Sequence, residues 1–161
     1  MRRRQAGFTL VEIMLVVGII GIITALATPM FLSYYQGAQL RTAAEQVVTF
    51  LNQGRQMAIT QNGSICVHID STTTPTTMHY HQGTCAGATW IGPGTTAAGD
   101  IRLPESITAT ATASPIFNYL GGSSTGATWR ITLTPSNTSV NVVVAVSGRV
   151  CITPIAVTTC T

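Results

Sequence analysis

An apolar run near the N-terminus constrains this chain more than any other feature. The run is GFTLVEIMLVVGIIGIITALATP, from Gly7 to Pro29, and it follows Arg2, Arg3 and Arg4. At about 1.5 Å per residue, a helix of roughly 20 residues covers the ~30 Å hydrocarbon core of a bilayer. Because positive residues stay on the cytoplasmic side, the rest of the chain is predicted to be translocated.

One acidic residue, Glu12, lies near the start of this run. A carboxylate inside an apolar membrane helix costs about 2–3 kcal/mol unless something compensates it. Two simple interpretations leave it unexplained. One is a secretory signal cleaved after the small-x-small pattern Ala25-Leu26-Ala27, and the other is a plain single-pass anchor. An acid in a membrane segment therefore indicates a function.

The stretch from Gly7 to Glu12, GFTLVE, lies between basic residues and an apolar helix. It resembles the class III signal of type IV prepilins and of the related pseudopilins of type II secretion. The resemblance implies that a prepilin peptidase cuts between Gly7 and Phe8 and that the new N-terminus is methylated. In that family the glutamate matching Glu12 serves assembly.

The same resemblance implies a division of the chain into three parts. Residues 1–7 would be a leader peptide, and residues 8–28 would be the transmembrane and assembly half of the N-terminal helix. Residues 29–161 would form a globular domain in the periplasm or at the surface. The protein is expected in the inner membrane as a single-pass subunit, and then in a pilus or pseudopilus with other subunits of its kind.

Electrostatics gives an independent reason for the acid. Cutting before Phe8 creates an ammonium close to Glu12, and an opposite charge is the natural partner of a carboxylate in a medium of low dielectric. With neighbouring subunits staggered by about one helical turn, the Phe8 amine of one would meet Glu12 of the next. The segment would thereby move from lipid into a filament core.

Helical periodicity continues beyond the apolar run. One stripe of apolar residues recurs at a spacing of about 3.6, and we predict one long helix from Phe8 to Gln61 that ends at Asn62-Gly63. Pro29 is expected to kink or loosen it. The first half is hydrophobic and the second amphipathic. The stripe consists of Leu40, Ala44, Val47, Leu51 and Ala58.

Alternating patterns after the helix predict strands. The predicted strands are SICVHID, the short TMHYHQ, ATWRITL, the longer SVNVVVAV, and GRVCI. Further short strands are predicted at 101–103 and 116–120, inside a loop-rich region from Gly83 to Ser124. A helix followed by strands predicts an α+β fold with the helix laid on an antiparallel β-sheet. This agrees with the type IV pilin fold that the N-terminus implies.

The four cysteines all follow the apolar run, and only 8% of the residues are charged. An even number of cysteines suits an oxidising compartment, and we predict two disulfides. Short loops cost less entropy to close, which favours Cys66 with Cys85 and Cys151 with Cys160. A pairing of Cys151 with Cys66 or Cys85 remains the alternative.

The sequence shows no pattern of catalytic or metal-binding residues. A nucleophile elbow, a phosphate loop and paired acids are missing, so we expect no enzyme and no cofactor. His79 and His81 share one face of a strand, with His68 on another strand. No carboxylate cluster accompanies them, and we expect solvated histidines and no metal.

A second resemblance concerns the C-terminal part. VSGRVCI, preceded by the FNYLG block, is similar to the GspH/FimT branch of minor pilins and pseudopilins. The subset implicated in DNA uptake has a Gly-Arg-x-Arg motif, whereas Cys151 replaces the second arginine after Gly148-Arg149-Val150. DNA binding by Arg149 therefore requires Arg102 and Arg130 to lie nearby, because several cations are needed to hold a phosphate backbone.

These observations favour a minor type IV pilin of the GspH/FimT kind that takes part in pilus assembly or priming. Two alternatives remain open. One is a pseudopilin of a type II secretion machine, and the other is a DNA-binding minor pilin for DNA uptake.

Overall fold

A computed structural model describes residues 8–160. Helix α1 spans Leu10–Thr60 and contains Pro29 without an interruption of its helical assignment. The predicted bounds, Phe8 and Gln61, differ from these by two residues and one. The helix ends as predicted, because Asn62 adopts a positive φ of 49° and Gly63 N donates to Ala58 O at 3.0 Å. This is the arrangement of a helix C-cap.

Eight strands follow the helix. They are β1 Ile65–Asp70, β2 Thr77–Gln82, β3 Ile101–Arg102, β4 Ile107–Ala111, β5 Ile116–Phe117, β6 Ala127–Leu133, β7 Thr138–Val144 and β8 Val150–Thr153. All pairings are antiparallel. The first sheet has the order β3-β2-β1-β5 and the second the order β4-β6-β7-β8. The α+β class and the helix on antiparallel strands are confirmed.

Three details of the strand prediction are wrong. The strands form two four-stranded sheets where one sheet was predicted. Strand β4 was assigned to a loop, although Ile107 and Ala109 are buried and alternate with exposed threonines. The predicted strands at 101–103 and 116–120 are also shorter in the structure, since Leu120 lies in an exposed turn.

The amphipathic half of α1 packs on the sheets as predicted. Its buried residues include Ala44, Val47, Leu51 and Ala58, while Leu40 lies at the edge of the same core. The approach to the first sheet is close: a Cβ added to Gly54 would lie 2.6 Å from Val67 Cγ2. Small residues on this stripe therefore set the distance between helix and sheet.

Tyr80 joins the helix to β2 by one hydrogen bond and one ring contact. Its hydroxyl donates to Phe50 O at 2.9 Å, and the two rings stack with centroids 4.2 Å apart. Burial raises the pKa of the Tyr80 hydroxyl above its ordinary value of 10.0, so the group remains a donor at physiological pH.

The contacts between residues divide the chain into two compact units, with the boundary between Gly37 and Ala38. Residues 8–37 belong to the first unit, and their side chains are all exposed. The second unit contains the whole hydrophobic core, which draws on α1 and on both sheets. The second unit is therefore expected to fold from its own contacts, and a fragment comprising residues 29–161 includes all of them.

Candidate functional site

The exposed first unit is the first candidate site. Its large apolar side chains are open to solvent, with Phe8 78%, Leu26 75% and Met30 79% exposed. Within residues 8–160, α1 is the one helix long and apolar enough to cross a bilayer, by length and composition; its most apolar 18-residue window has a mean hydropathy of 2.6 and no buried residue. So much uncovered apolar surface requires a lipid or protein environment.

Glu12 lies in the first turn of α1. Its backbone N–H donates to Thr9 Oγ1 at 3.3 Å, so Thr9 caps the helix and Glu12 occupies the third helical position of a Thr-x-x-Glu capping pattern. A carboxylate there also interacts favourably with the positive end of the helix dipole. Sequence reasoning missed this second, local role, although the spacing of Thr9 and Glu12 would have indicated it.

The described residues offer Glu12 no ion-pair partner. Their two ion pairs join Arg41 to Glu45 and His79 to Asp100. Gly7 lies outside the described residues, so cleavage between Gly7 and Phe8 stays a prediction. The Glu12 carboxylate and the apolar surface around it are both exposed, so a positive group on another chain could reach Glu12 and pair with it.

The three candidate DNA-contact arginines lie on different elements. Arg102 ends β3 in the first sheet, Arg130 lies in the middle of β6, and Arg149 lies in the turn between β7 and β8. All three are exposed. Arg130 of β6 is paired with Asn141 of β7. At ~3.3 Å per residue, the distance along β7 from Asn141 to the turn that carries Arg149 is about 13 Å. The fold therefore places the three arginines on three separate elements, and no single strand or turn carries more than one of them.

Arg55 was not predicted as a site residue, but it lies beside the Gly148 turn. A Cβ added to Gly148 would lie 3.2 Å from Arg55 Nε, and one added to Gly121 would lie 2.9 Å from the same atom. Arg55 Nε is buried and has no hydrogen-bond partner among the described residues. The motif around Arg149 thus packs against the helix through its glycine.

The three histidines lie on adjacent strands of the first sheet, where His68 pairs with His79. His68 and His81 each have a partner at one ring nitrogen: His68 Nδ1 lies 2.9 Å from Ser114 Oγ, and His81 Nδ1 lies 3.1 Å from Gly87 O. Both nitrogens of His79 have partners, with Nδ1 3.4 Å from Asp100 Oδ1 and Nε2 3.3 Å from Thr77 Oγ1. Within residues 8–160 no group of three His, Cys, Asp or Glu side chains is arranged to hold a metal ion.

Burial is the main cause that lowers the pKa of His68 below its ordinary value of 6.5. The nearby His81 and His79 lower it further, because a second positive charge beside them is unfavourable. Hydrogen bonds from Thr72 lower the pKa of Asp70. The protonation of the histidine cluster therefore depends on its burial and on the charges beside it.

Disulfides join Cys66 to Cys85 and Cys151 to Cys160. This is the local pairing that loop closure favours. The first bond ties β1 to the loop after β2, and the second ties β8 to the C-terminal segment. Both disulfides lie in the second unit.

Two family models match the chain. One, described as the prokaryotic N-terminal methylation motif, covers residues 2–28. The other, described as type II transport protein GspH, covers residues 43–148, which is more than half of the chain. The first match covers most of the exposed apolar segment, and the second lies within the folded second unit.

Two curated relatives, both named fimbrial protein and both from Pseudomonas aeruginosa, are 36% identical over 81 residues. The match covers 50% of this chain, and the chain spans about half (49%) of the length of these relatives.

Two solved structures share the fold. The minor pseudopilin EpsH of the type 2 secretion system of Vibrio cholerae has a TM-score of 0.56 at 15% identity, over 72% of this chain and 97% of the other. The type IV minor pilin FimU of Pseudomonas aeruginosa has a TM-score of 0.55 at 17% identity, over 78% and 96%. At such low identity the likeness establishes the fold.

Proposed function

This chain belongs to the GspH family, and from that premise we propose that it is a low-abundance subunit of a type IV pilus that takes part in pilus assembly or priming. The family and the methylation motif make it a minor pilin or pseudopilin of a type IV pilus or a type II secretion system. The proposal narrows this to the pilus and gives the protein a structural, non-catalytic role.

The observation that carries the proposal is the uncovered apolar first unit with an acid in its first turn. Residues 8–37 are all exposed, and Glu12 has no cation beside it within residues 8–160. In the membrane, such a helix is covered by lipid, and the acid stays costly. In a bundle of identical or similar helices, both the apolar surface and the acid find partners.

We propose that Glu12 forms an ion pair with the methylated N-terminal amine of Phe8 on an adjoining subunit. A prepilin peptidase would expose that amine by cutting after Gly7 on the cytoplasmic side of the inner membrane. The capping bond from Glu12 N to Thr9 Oγ1 holds the start of the helix in one conformation. Preorganisation of this kind lowers the entropy cost of docking the amine.

The test replaces Glu12 by Gln in the native host and measures the amount of protein in sheared surface fibres against the amount in membranes. Glu45→Gln is the matched control, because Glu45 is an exposed acid on the same helix whose pair with Arg41 spans one turn and contributes little. We expect the Glu12 variant to be processed, with a mature mass beginning at Phe8 plus one methyl group, and to be lost from the fibres.

Two results would contradict the proposal. Incorporation of the Glu12→Gln protein at the level of the parent would remove the need for the charge pair. A mature mass beginning at Thr28 would indicate conventional secretion after Ala27.

A second candidate function is that of a pseudopilin in a type II secretion system. The description of the matching family and the fold of EpsH favour it. Deletion of the gene separates the two: loss of surface fibres with normal export of folded proteins supports the pilus. Retained fibres with exported proteins trapped in the periplasm support the pseudopilin.

A further inference from the structure

The aromatic residues of the segment 8–37 lie at the two ends of its apolar stretch. Phe8 precedes the helix, and the others are Phe31, Tyr34 and Tyr35, whereas residues 9–30 contain no aromatic side chain. All four aromatic side chains are exposed. The sequence becomes polar directly after Tyr35, so the later aromatic group marks the end of the apolar stretch.

The three later aromatic residues lie on one face of α1. Spacings of three and four residues bring side chains to the same side of a helix, and the rings of Phe31 and Tyr35 stack with centroids 6.4 Å apart and planes 13° apart. We call Phe31, Tyr34 and Tyr35 the aromatic face. It combines apolar rings with two hydroxyl groups at their tips, so it is amphipathic.

Hydroxyl groups earlier in the helix are bonded to its own backbone. Thr24 Oγ1 donates to Ile20 O at 2.9 Å, and Thr28 Oγ1 donates to Thr24 O at 2.7 Å. Groups bonded in this way tolerate a hydrocarbon layer, which supplies no water. The hydroxyls of Tyr34 and Tyr35 make no such bond within residues 8–160, so they require polar partners from outside the chain.

The length of the helix agrees with this difference. From Leu10, where α1 begins, to Phe31 the helix rises about 32 Å, and the hydrocarbon core is ~30 Å thick with an average helix tilt of about 20°. When Leu10 lies at one boundary of the core, Phe31 lies at the other and the tyrosines lie among the headgroups. Glu12, about 28 Å from Phe31 along the helix, stays inside the core.

We propose that the aromatic face binds the membrane–water interface at the end of the span away from the N-terminal arginines, and that it sets the depth of the subunit before assembly. The interface offers apolar chains to the rings and water or headgroups to the hydroxyls at the same depth, which is why such side chains are enriched there. A bundle of apolar helices covers the rings but offers the hydroxyls no comparable partners.

The inference rests on the membrane stage of the proposed function, and it holds for a pilus and for a secretion machine alike. The test measures the depth of a nitroxide on the full-length protein in vesicles of phosphatidylethanolamine and phosphatidylglycerol. Collisions with oxygen report hydrocarbon, and collisions with a water-soluble nickel complex report water. The four native cysteines are bonded in pairs, so an introduced cysteine is the single thiol available to the label.

Two labelled variants, Ile22→Cys and Ser33→Cys, place the nitroxide on the side of α1 opposite the aromatic face. The two positions are about 16 Å apart along the helix, so a label at residue 33 lies at the boundary of the core when a label at residue 22 lies near its centre. We expect the ratio of oxygen to nickel accessibility to be at least fivefold higher at residue 22 than at residue 33.

A pair of substitutions tests the role of the hydroxyls. Tyr34→Leu combined with Tyr35→Leu removes them and keeps the surface apolar, so residue 33 is expected to sink and the ratio there to rise at least twofold. Tyr119→Leu replaces an exposed tyrosine of the second unit and is the control that leaves the ratio unchanged. The replaced side chains are exposed, so their loss spares the fold.

Two results would overturn the proposal while leaving the proposed function intact. Equal ratios at residues 22 and 33 would show that the aromatic face lies within the core. An unchanged ratio in the doubly substituted protein would assign the face to packing against another helix. A label at residue 22 that only the nickel complex reaches would show that the segment 8–37 is outside the bilayer, and would overturn both proposals.

Discussion

Gly148 has a structural reason to be glycine. Its φ is 80°, and an added Cβ would overlap the carbonyl oxygen of Gly121. Gly121 also has a positive φ, of 81°, and its own missing Cβ leaves room for Arg55 and Ile59 of α1. The two glycines therefore let the β7–β8 turn and the FNYLG segment pack against the helix, independently of any ligand of Arg149.

Replacing Gly148 by Ala is expected to destabilise the fragment 29–161 by about 1–3 kcal/mol, because a β-carbon at positive φ is strained and the neighbouring carbonyl has to move. Urea unfolding measures the change. Gly126→Ala is the control, since the nearest atom there, Val144 O, is 3.4 Å away. Equal stability of the Gly148 variant and the parent would show that the turn can relax at no cost.

His68 couples the stability of the first sheet to pH. Burial lowers its pKa in the folded protein below the ordinary 6.5. As the pH falls below 6.5, the unfolded chain binds a proton at this residue before the folded chain does. Stability is therefore fully present above that pH and is lost as the pH falls toward the lowered pKa of the folded state.

We expect the free energy of unfolding of the fragment 29–161 to decrease between pH 7.5 and pH 5, and a His68→Gln variant to show a shallower decrease. Denaturant unfolding at several pH values measures both slopes. Glu45→Gln is the control, because Glu45 is an exposed acid on α1 and is not among the groups that shift the pKa of His68. An unchanged slope in the His68 variant would assign the pH dependence to other groups.

At the scale of elements, the sequence predicted the strands in which large apolar residues alternate clearly with polar ones. Strand β6 alternates large residues with polar ones, and Trp129 and Ile131 are fully buried as that pattern indicated. Strand β4 was missed because its inward side chains after Ile107 are alanines, which contribute little hydrophobic signal. Which strands pair into which sheet depends on contacts far apart in sequence, so local periodicity did not predict two sheets.

Whether a candidate site could be predicted also depends on how far apart its residues lie in the sequence. Phe8 and Glu12 belong to a short local motif, which a single stretch of sequence contains. The surface cavity lined by Thr110, Arg130 and Asn141 combines three strands with Thr158 of the C-terminal segment, and nothing near Asn141 in sequence indicates it. The separation of Arg102, Arg130 and Arg149 likewise follows from strand order.

The two disulfides are expected to stabilise the fold unequally. Their sequence separations are 19 for Cys66–Cys85 and 9 for Cys151–Cys160. Chain-entropy arguments give about 3.2 and 2.6 kcal/mol for loops of these sizes. Removing Cys66–Cys85 by paired serine substitution should therefore lower the free energy of unfolding more than removing Cys151–Cys160, as urea unfolding would measure.

The second disulfide has a further expected effect, since it holds the C-terminal segment. Its loss should increase hydrogen exchange after Thr153 while the exchange of β6 stays unchanged. A larger loss of stability from the Cys151–Cys160 variant would mean that the C-terminal segment contributes packing that loop entropy does not count.

At the scale of the whole molecule, the chain separates its tasks between its two units. Residues 8–37 bury nothing within the chain, whereas the second unit has a complete core. A subunit that is extracted from a membrane into a fibre needs this separation, because the first segment exchanges one environment for another while the second stays folded.

DNA binding is the contact that the exposed surface of the second unit supports least. With Arg102, Arg130 and Arg149 on separate elements and Arg55 Nε buried, one phosphate group meets one or two cations at any place. Each neutralised phosphate contributes about 0.9 to the slope of log affinity against log salt, so one or two such contacts would give weak binding with a shallow dependence on salt. We expect the fragment 29–161 at micromolar concentration to leave a DNA duplex unshifted in a gel, even at low salt. A shift that Arg149→Gln abolishes and Arg41→Gln preserves would contradict this and establish Arg149 as part of a DNA-uptake surface.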